Sequence, residues 1–239
     1  KGAGISLLDL TELGDHATPE QVIHLCGRAV TAHGPVAAVC VWPRHVPLAV
    51  EQLWGTNVRV ATVVNFPSGA EPVADVVAAT SQAIADGADE IDLVLPYQAL
   101  AGGRRDLAAT MLDAVRAAVP TDSHRLKVIL ETGALGDPSM IQGAAMAAVM
   151  SGADFLKTST GKIPEGATPE SVTALLEVIE QANTRGLGPV GVKVSGGVRT
   201  VTDAERYLAL ADRYIGGPEV GPHDFRFGAS GLYDDIARV

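Results

Sequence analysis

The chain has 239 residues, 47% hydrophobic and 19% charged, with only 4% aromatic, so it has ample small apolar side chains for a large core and is not expected to be disordered. The net charge of −10, with no basic run, argues against nucleic acid as the main partner. The longest uninterrupted apolar run, Val36 to Trp42, is too short to cross a bilayer.

Cys26 and Cys40 form no CxxC pair and read as reduced thiols. No basic segment followed by an apolar run opens the chain, so no signal peptide is expected and a cytoplasmic location is.

Asp9-Leu10-Thr11 places two polar residues around a leucine near the start. Thr18-Pro19-Glu20-Gln21 predicts a helix start with a capping box, and the helix extends to about His33 before Gly34-Pro35. Ala37 to Trp42 reads as the first buried strand, stopped by Pro43, and a helix from Val46 to Trp54 follows. Val58 to Val64 is a β-branched strand ending in Asn65-Phe66-Pro67-Ser68-Gly69, and Pro72 to Asp86 is helical by period.

The next strand is Glu90 to Leu95, then a helix from Asp106 to Val119, then a strand from Leu126 to Glu131. A helix from Pro138 to Ser151 leads to a strand from Ala153 to Lys157. Thr168-Pro169-Glu170 starts another helix, to about Thr184, and Val190 to Val194 is the sixth strand. Val201 to Leu210 reads as a helix, a weak seventh strand is expected near Tyr214, Asp224 to Phe227 is the eighth, and Ser230 opens the last helix. Strict alternation without a composition break predicts one domain over residues 1–239, a (β/α)8 TIM barrel with an extra N-terminal helix. An open doubly wound sheet is the alternative, but no GxGxxG follows the first strand.

Strand alternation puts Asp92, Lys127, Glu131, Lys157 and Lys193 on inward faces. Lys127 opens its strand and is expected to pair with Glu90 or Asp92. Lys157 and Lys193 close theirs, at the end where barrels carry active sites. An ordinary lysine has a pKa of about 10.4, and bringing it to about 7 takes roughly 4–5 kcal/mol against the charged form. Burial and a neighbouring ammonium supply that. The free amine can then attack a carbonyl and form a Schiff base, with Asp92 and Lys193 able to move protons. A simple ion pair remains the competing reading of each lysine, and of Asp92 with Lys127.

Gly161-Lys162, Gly196-Gly197 and Gly228-Ala229-Ser230 each follow a late strand and could cradle phosphate at helix starts. There is no GxxxxGK[ST] and no GxSxG. The six histidines are scattered without HxH or HExxH spacing, so no metal is expected. Cys40 reads by default as a buried apolar thiol rather than a pocket-facing one.

Lys157-Thr158-Ser159-Thr160-Gly161-Lys162, Gly196-Gly197-Val198-Arg199-Thr200 and Phe227-Gly228-Ala229-Ser230 resemble the motifs of the deoxyribose-phosphate aldolase family. Asp9-Leu10-Thr11, Cys40-Val41-Trp42-Pro43-Arg44, Asn65-Phe66-Pro67-Ser68-Gly69, Asp89-Glu90-Ile91-Asp92 and Glu131-Thr132-Gly133 add to the resemblance. The resemblance implies a cofactor-free class I aldolase that cleaves 2-deoxy-D-ribose 5-phosphate to D-glyceraldehyde 3-phosphate and acetaldehyde. It implies Lys157 as the Schiff-base lysine, Lys193 as the lysine that perturbs it, and Asp92 as the proton-relay acid. It places Gly161, Lys162, Gly196, Gly197, Arg199, Gly228 and Ser230 at the phosphate, and Asp9, Thr11, Cys40 and Thr160 in the pocket. Small phosphosugars and aldehydes are the implied partners, and relatives often form homodimers.

The sequence departs from some relatives. Val194-Ser195 stands where they have Pro-Ala, and Gly231 where they have a second serine. Some also carry a C-terminal tail ending in tyrosine that assists proton abstraction; the sequence here runs to Val239, just past the last expected helix. The alternatives are another lysine-dependent barrel aldolase, acting on a different sugar phosphate or a keto acid, and a barrel that only binds phosphosugars. A barrel isomerase could use Glu131 as base but leaves the lysine pair unexplained.

Overall fold

The computed structural model describes residues 2–215 and 220–238. Eight parallel strands form one sheet: β1 (Asp9–Glu12), β2 (Ala38–Val41), β3 (Arg59–Val64), β4 (Glu90–Val94), β5 (Arg125–Ile129), β6 (Phe155–Lys157), β7 (Gly191–Ser195) and β8 (Phe225–Gly228). They lie in chain order, each hydrogen-bonded to the next. The circle closes where Leu8 bridges Phe227, whose amide donates to the Leu7 carbonyl at 2.8 Å. The barrel expected from the alternation is therefore present.

The helices are α1 (Gly2–Ile5), α2 (Pro19–Gly27), α3 (Val46–Gln52), α4 (Val73–Ala85), α5 (Tyr97–Ala101), α6 (Arg105–Ala118), α7 (Thr132–Leu135), α8 (Pro138–Met150), α9 (Pro169–Thr184), α10 (Val201–Tyr214) and α11 (Ser230–Arg238). α1 precedes the first strand. The capping box foreseen at Thr18 is formed with Gln21, but α2 ends at Gly27, and a small antiparallel ribbon of Val30–Thr31 with Gly34–Pro35 occupies the rest of the predicted helix. Val30 and Thr31 are β-branched and favour that extended pairing.

Two strand assignments need correction. The first barrel strand is Asp9–Glu12, where the sequence predicts none. It is only four residues long, and two of the inward positions are polar, so no apolar run betrays it. The expected strand near Tyr214 is instead the last turn of α10, whose Ala204, Tyr207 and Ala211 make a buried stripe at helical spacing. The two errors offset each other, which kept the total at eight. As a result the lysine strands are the sixth and seventh rather than the fifth and sixth. Glu131 also lies beyond β5, in a left-handed conformation with φ of 51°, rather than on the strand.

Alternation divides each strand between two environments. Leu10, Val39, Ile91, Leu93, Val128, Leu156, Val192, Phe225 and Phe227 take the face packed by helices and are buried. The inward positions carry Asp9, Cys40, Glu90, Asp92, Lys127, Phe155, Lys157, Lys193 and Arg226, also buried. The barrel centre is thus filled largely by ionic side chains. Gly191 makes room for this filling, because a Cβ there would lie 2.4 Å from the Phe155 ring.

Candidate active site

The register of the strands brings the site together. Asp92 on β4 is the register partner of Lys127 on β5, Lys157 on β6 of Lys193 on β7, and Lys193 of Arg226 on β8, the pairing stepping down the barrel because the strands are tilted. Lys157 ends β6 and is 4% exposed, so its amine lies at the C-terminal mouth. Lys157 Nζ donates to Asp92 Oδ2 at 2.8 Å, and Lys193 Nζ donates to the same oxygen at 2.9 Å. Lys193 also pairs with Asp9 Oδ2 at 2.6 Å. Lys127 takes Asp92 Oδ1 at 2.6 Å and Glu90 at 2.7 Å, so both partners named for it from sequence are used.

Arg226 completes the network, pairing with Asp9 at 2.8 Å and with Glu90 at 3.1 Å. Sequence reasoning missed this residue. The available signal was a lone arginine between two phenylalanines, at the inward position of an apolar strand.

Four basic side chains therefore share three carboxylates in a water-poor interior. Excess buried charge is costly, and the cheapest remedy is to lose one proton. Lys157 is the member that meets only one carboxylate, whereas Lys127, Lys193 and Arg226 each meet two or more. Burial pushes the Lys157 amine below the usual lysine value, Asp92 opposes this, and the Lys193 ammonium adds to the lowering. Burial also acts against the charge on Lys193, but Asp9 and Asp92 outweigh it and hold that ammonium protonated. Burial disfavours the Asp92 carboxylate, yet Lys127, Lys157 and Lys193 keep it ionised far into acid. Asp9 is held in the same way by Lys193 and Arg226.

Cys40 is fully buried on β2, and burial raises its thiol above the ordinary value, with Asp92 adding to the effect. Its inward position sets it beside the charge network, but it is fully buried within the core and does not line the cleft after β6, β7 and β8, in keeping with the default reading of a buried thiol. Thr160 accepts the Lys162 amide at 3.0 Å and donates to Glu131 at 2.5 Å, while its own amide donates to Glu131 at 3.1 Å. Burial raises the Glu131 carboxyl despite these bonds. Glu131 was expected inside the barrel, but it instead braces the loop after β6.

The three glycine-containing loops follow β6, β7 and β8, three consecutive strands, and open on one cleft of about 480 Å3. Thr11, Thr160, Gly161, Lys162, Gly196, Gly197, Arg199, Gly228 and Ser230 all line it. Gly196 and Gly197 have φ of 81° and 85°, a conformation that side-chain-bearing residues rarely take. α10 and α11 start directly after the loops that follow β7 and β8, and at the start of α10 the Val201 amide donates to Asp235 and the Asp203 amide to Thr200. Lys162 reaches across to the Leu13 carbonyl at 2.6 Å and to Asp15 at 3.2 Å. The Ser230 hydroxyl is engaged with the Thr11 backbone, accepting its amide at 3.0 Å and donating to its carbonyl at 2.9 Å. Among the described residues no group of three or more His, Cys, Asp and Glu is placed to hold a metal ion. None of the described helices is long and apolar enough to cross a membrane.

Comparison with known proteins finds aldolases of the same fold. The chain is 48% identical over 237 residues to a deoxyribose-phosphate aldolase of Agrobacterium fabrum, covering 98% of this chain and 89% of that one. It superposes with a TM-score of 0.85 on the crystal structure of a Coccidioides immitis protein assigned as a deoxyribose-phosphate aldolase. That protein is 31% identical, and the match spans 100% of this chain and 87% of the other. The structure of an aldolase designated QR15 matches with a TM-score of 0.81 at 27% identity, over 98% of this chain and 96% of that one. The DeoC/LacD family aldolase model matches residues 5–230, and the chain belongs to that family of lyases.

Proposed function

We propose that the protein is a class I aldolase that reversibly cleaves 2-deoxy-D-ribose 5-phosphate to D-glyceraldehyde 3-phosphate and acetaldehyde through a Schiff base on Lys157. The observation that carries this reading is one buried carboxylate oxygen shared by two lysines, 2.8 Å from Lys157 and 2.9 Å from Lys193, beside a cleft lined by Lys162 and Arg199. A site for binding alone has no use for a lysine whose charge is disfavoured.

In this mechanism the free Lys157 amine attacks C1 of the open-chain aldehyde. The carbinolamine oxygen takes a proton from the Lys193 side and leaves as water, forming the iminium. The C3 hydroxyl then gives its proton back to the Lys193 side, the C2–C3 bond breaks, and its electron pair flows into the iminium to give an enamine. Glyceraldehyde 3-phosphate departs. Proton return to C2 and hydrolysis by water release acetaldehyde and restore the amine. Asp92 rests ionised and holds both lysine nitrogens at one oxygen, so a proton taken up from one side is passed to the other over a single short bridge. Lys162, Arg199 and the glycine amides at the helix starts hold the phosphate, a local positive site within an acidic molecule.

The Lys157→Met variant tests the reading. It is expected to lose turnover of 2-deoxyribose 5-phosphate by at least about 10³-fold while keeping the circular dichroism spectrum and cooperative melting of the parent. Retained turnover would place the nucleophile elsewhere.

A further inference from the structure

Below the reacting lysine the barrel is closed by a second tier of charge. Arg226 is 4% exposed and Glu90 2%. The Arg226 guanidinium lies over the Phe155 ring at 5.3 Å and joins Asp9 to Glu90. From this tier two chains of ion pairs run upward. Arg226 holds Asp9, which holds Lys193 at 2.6 Å. Glu90 holds Lys127, which holds Asp92 at 2.6 Å, the carboxylate that touches Lys157. Beneath the tier a cleft of about 770 Å3 opens on the N-terminal face of the barrel, and Glu90 and Arg226 both line it. These two residues are therefore the floor between outside water and the amine.

We propose that Arg226 and Glu90 are positioning residues, which close the barrel floor and, through Asp9–Lys193 and Lys127–Asp92, set the charge balance that decides whether Lys157 holds a proton. The proposal rests on Lys157 being the reacting amine. The groups that face Lys157 are Asp9 from β1, Cys40 from β2, Glu90 and Asp92 from β4, Lys127 from β5, Lys193 from β7 and Arg226 from β8, with Glu131 above β5. On β3 the inward positions Ala61 and Val63 bear no charge, while Arg59 below them, paired with Asp89 at 3.4 Å, and Arg125 at the start of β5 line the cleft under the floor. Arg226 and Glu90 have opposite signs in the same tier, so their removal must act in opposite directions. Without the arginine the interior is more negative and Lys157 keeps its proton to higher pH. Without the glutamate it is more positive and the proton leaves at lower pH. Damage to packing alone has no reason to reverse sign between the two.

The test compares the acid limb of the pH profile of kcat/KM for 2-deoxyribose 5-phosphate cleavage in the parent, Glu90→Gln, Arg226→Gln, Arg226→Lys and the double variant Glu90→Gln/Arg226→Gln. The limb is expected to fall by about one pH unit in Glu90→Gln and to rise by about one in Arg226→Gln. In Arg226→Lys and in the double variant it is expected within about 0.3 unit of the parent, because the net charge is unchanged. Should Arg226→Gln not fold, Glu90→Gln and the double variant carry the comparison: a lowered limb in the first, restored in the second, supports the proposal. Limbs that stay in place, or that move in one direction in every variant, overturn it. Borohydride trapping on the parent separates the two layers of argument. An adduct on Lys157 with unmoved limbs fails this proposal alone, and an adduct on another lysine fails the underlying reading and this proposal with it.

Discussion

Lys157 is distinguished from its neighbours by the number of carboxylates it meets. Lys193 has two, Asp9 at 2.6 Å and Asp92 at 2.9 Å, whereas Lys157 has only Asp92. Sequence logic brought the two lysines together but left the nucleophile open, because it had no way to place Asp9 against one of them. The repulsion between them gives a pH prediction with a definite sign. Lys157 is lowered first by burial and further by the Lys193 ammonium. In Lys193→Met the second cause disappears, so the Lys157 proton is held to higher pH. The acid limb of kcat/KM is expected to move to higher pH, and part of the neutral-pH loss to be regained in alkaline buffer. A pH–rate profile of the variant reads this directly, and a limb at the parental position would remove Lys193 from the control of Lys157.

At the level of elements, the ends of β6, β7 and β8 and the loops after them build the cleft, and their glycines are held to tight tolerances. A Cβ on Gly228 would lie 2.3 Å from Ser195 Oγ and 3.0 Å from Lys193 Cε. Gly228→Ala is therefore expected to displace Lys193 and the cleft wall together, lowering kcat/KM by about 10²-fold or more with little change in melting temperature. Steady-state kinetics beside a thermal melt check it, and parental kinetics would mean that the wall yields without disturbing the amine. Most of these elements could be read in the sequence, since α2, α9 and α10 start with capping boxes at Thr18, Thr168 and Thr200, and β2 to β7 carry apolar or β-branched runs. β1 could not, because a four-residue strand with Asp9 and Thr11 facing inward resembles a polar loop until its partners are known. Glu131 was misplaced for a related reason. Strand alternation extends it inward, but a left-handed turn after Ile129 redirects it to Thr160.

Over the whole molecule, the barrel centre exchanges part of an apolar core for a charge network, and that choice has a consequence for stability in acid. Asp9 and Asp92 have folded-state pKa values depressed by the lysines and Arg226 that surround them. A depressed carboxylate contributes stability that is present above its unfolded value of about 3.9 and is lost as pH falls through that value toward the folded one. The protein is therefore expected to lose stability steeply below about pH 4. Asp92→Asn is expected to cost about 3–5 kcal/mol at neutral pH, since it leaves buried cations without their partner. Its remaining stability should depend less on acid than the parent's. Denaturant titrations at pH 3 to 7 on both proteins measure this, and equal slopes against pH would deny Asp92 its place in the network.

The central claim is that Lys157 carries the substrate as an imine. Incubation with 2-deoxyribose 5-phosphate, reduction with borohydride, digestion and mass spectrometry locate the adduct. The account predicts a reduced two-carbon or five-carbon adduct on Lys157. An adduct confined to Lys193, or active protein that yields none, would contradict it.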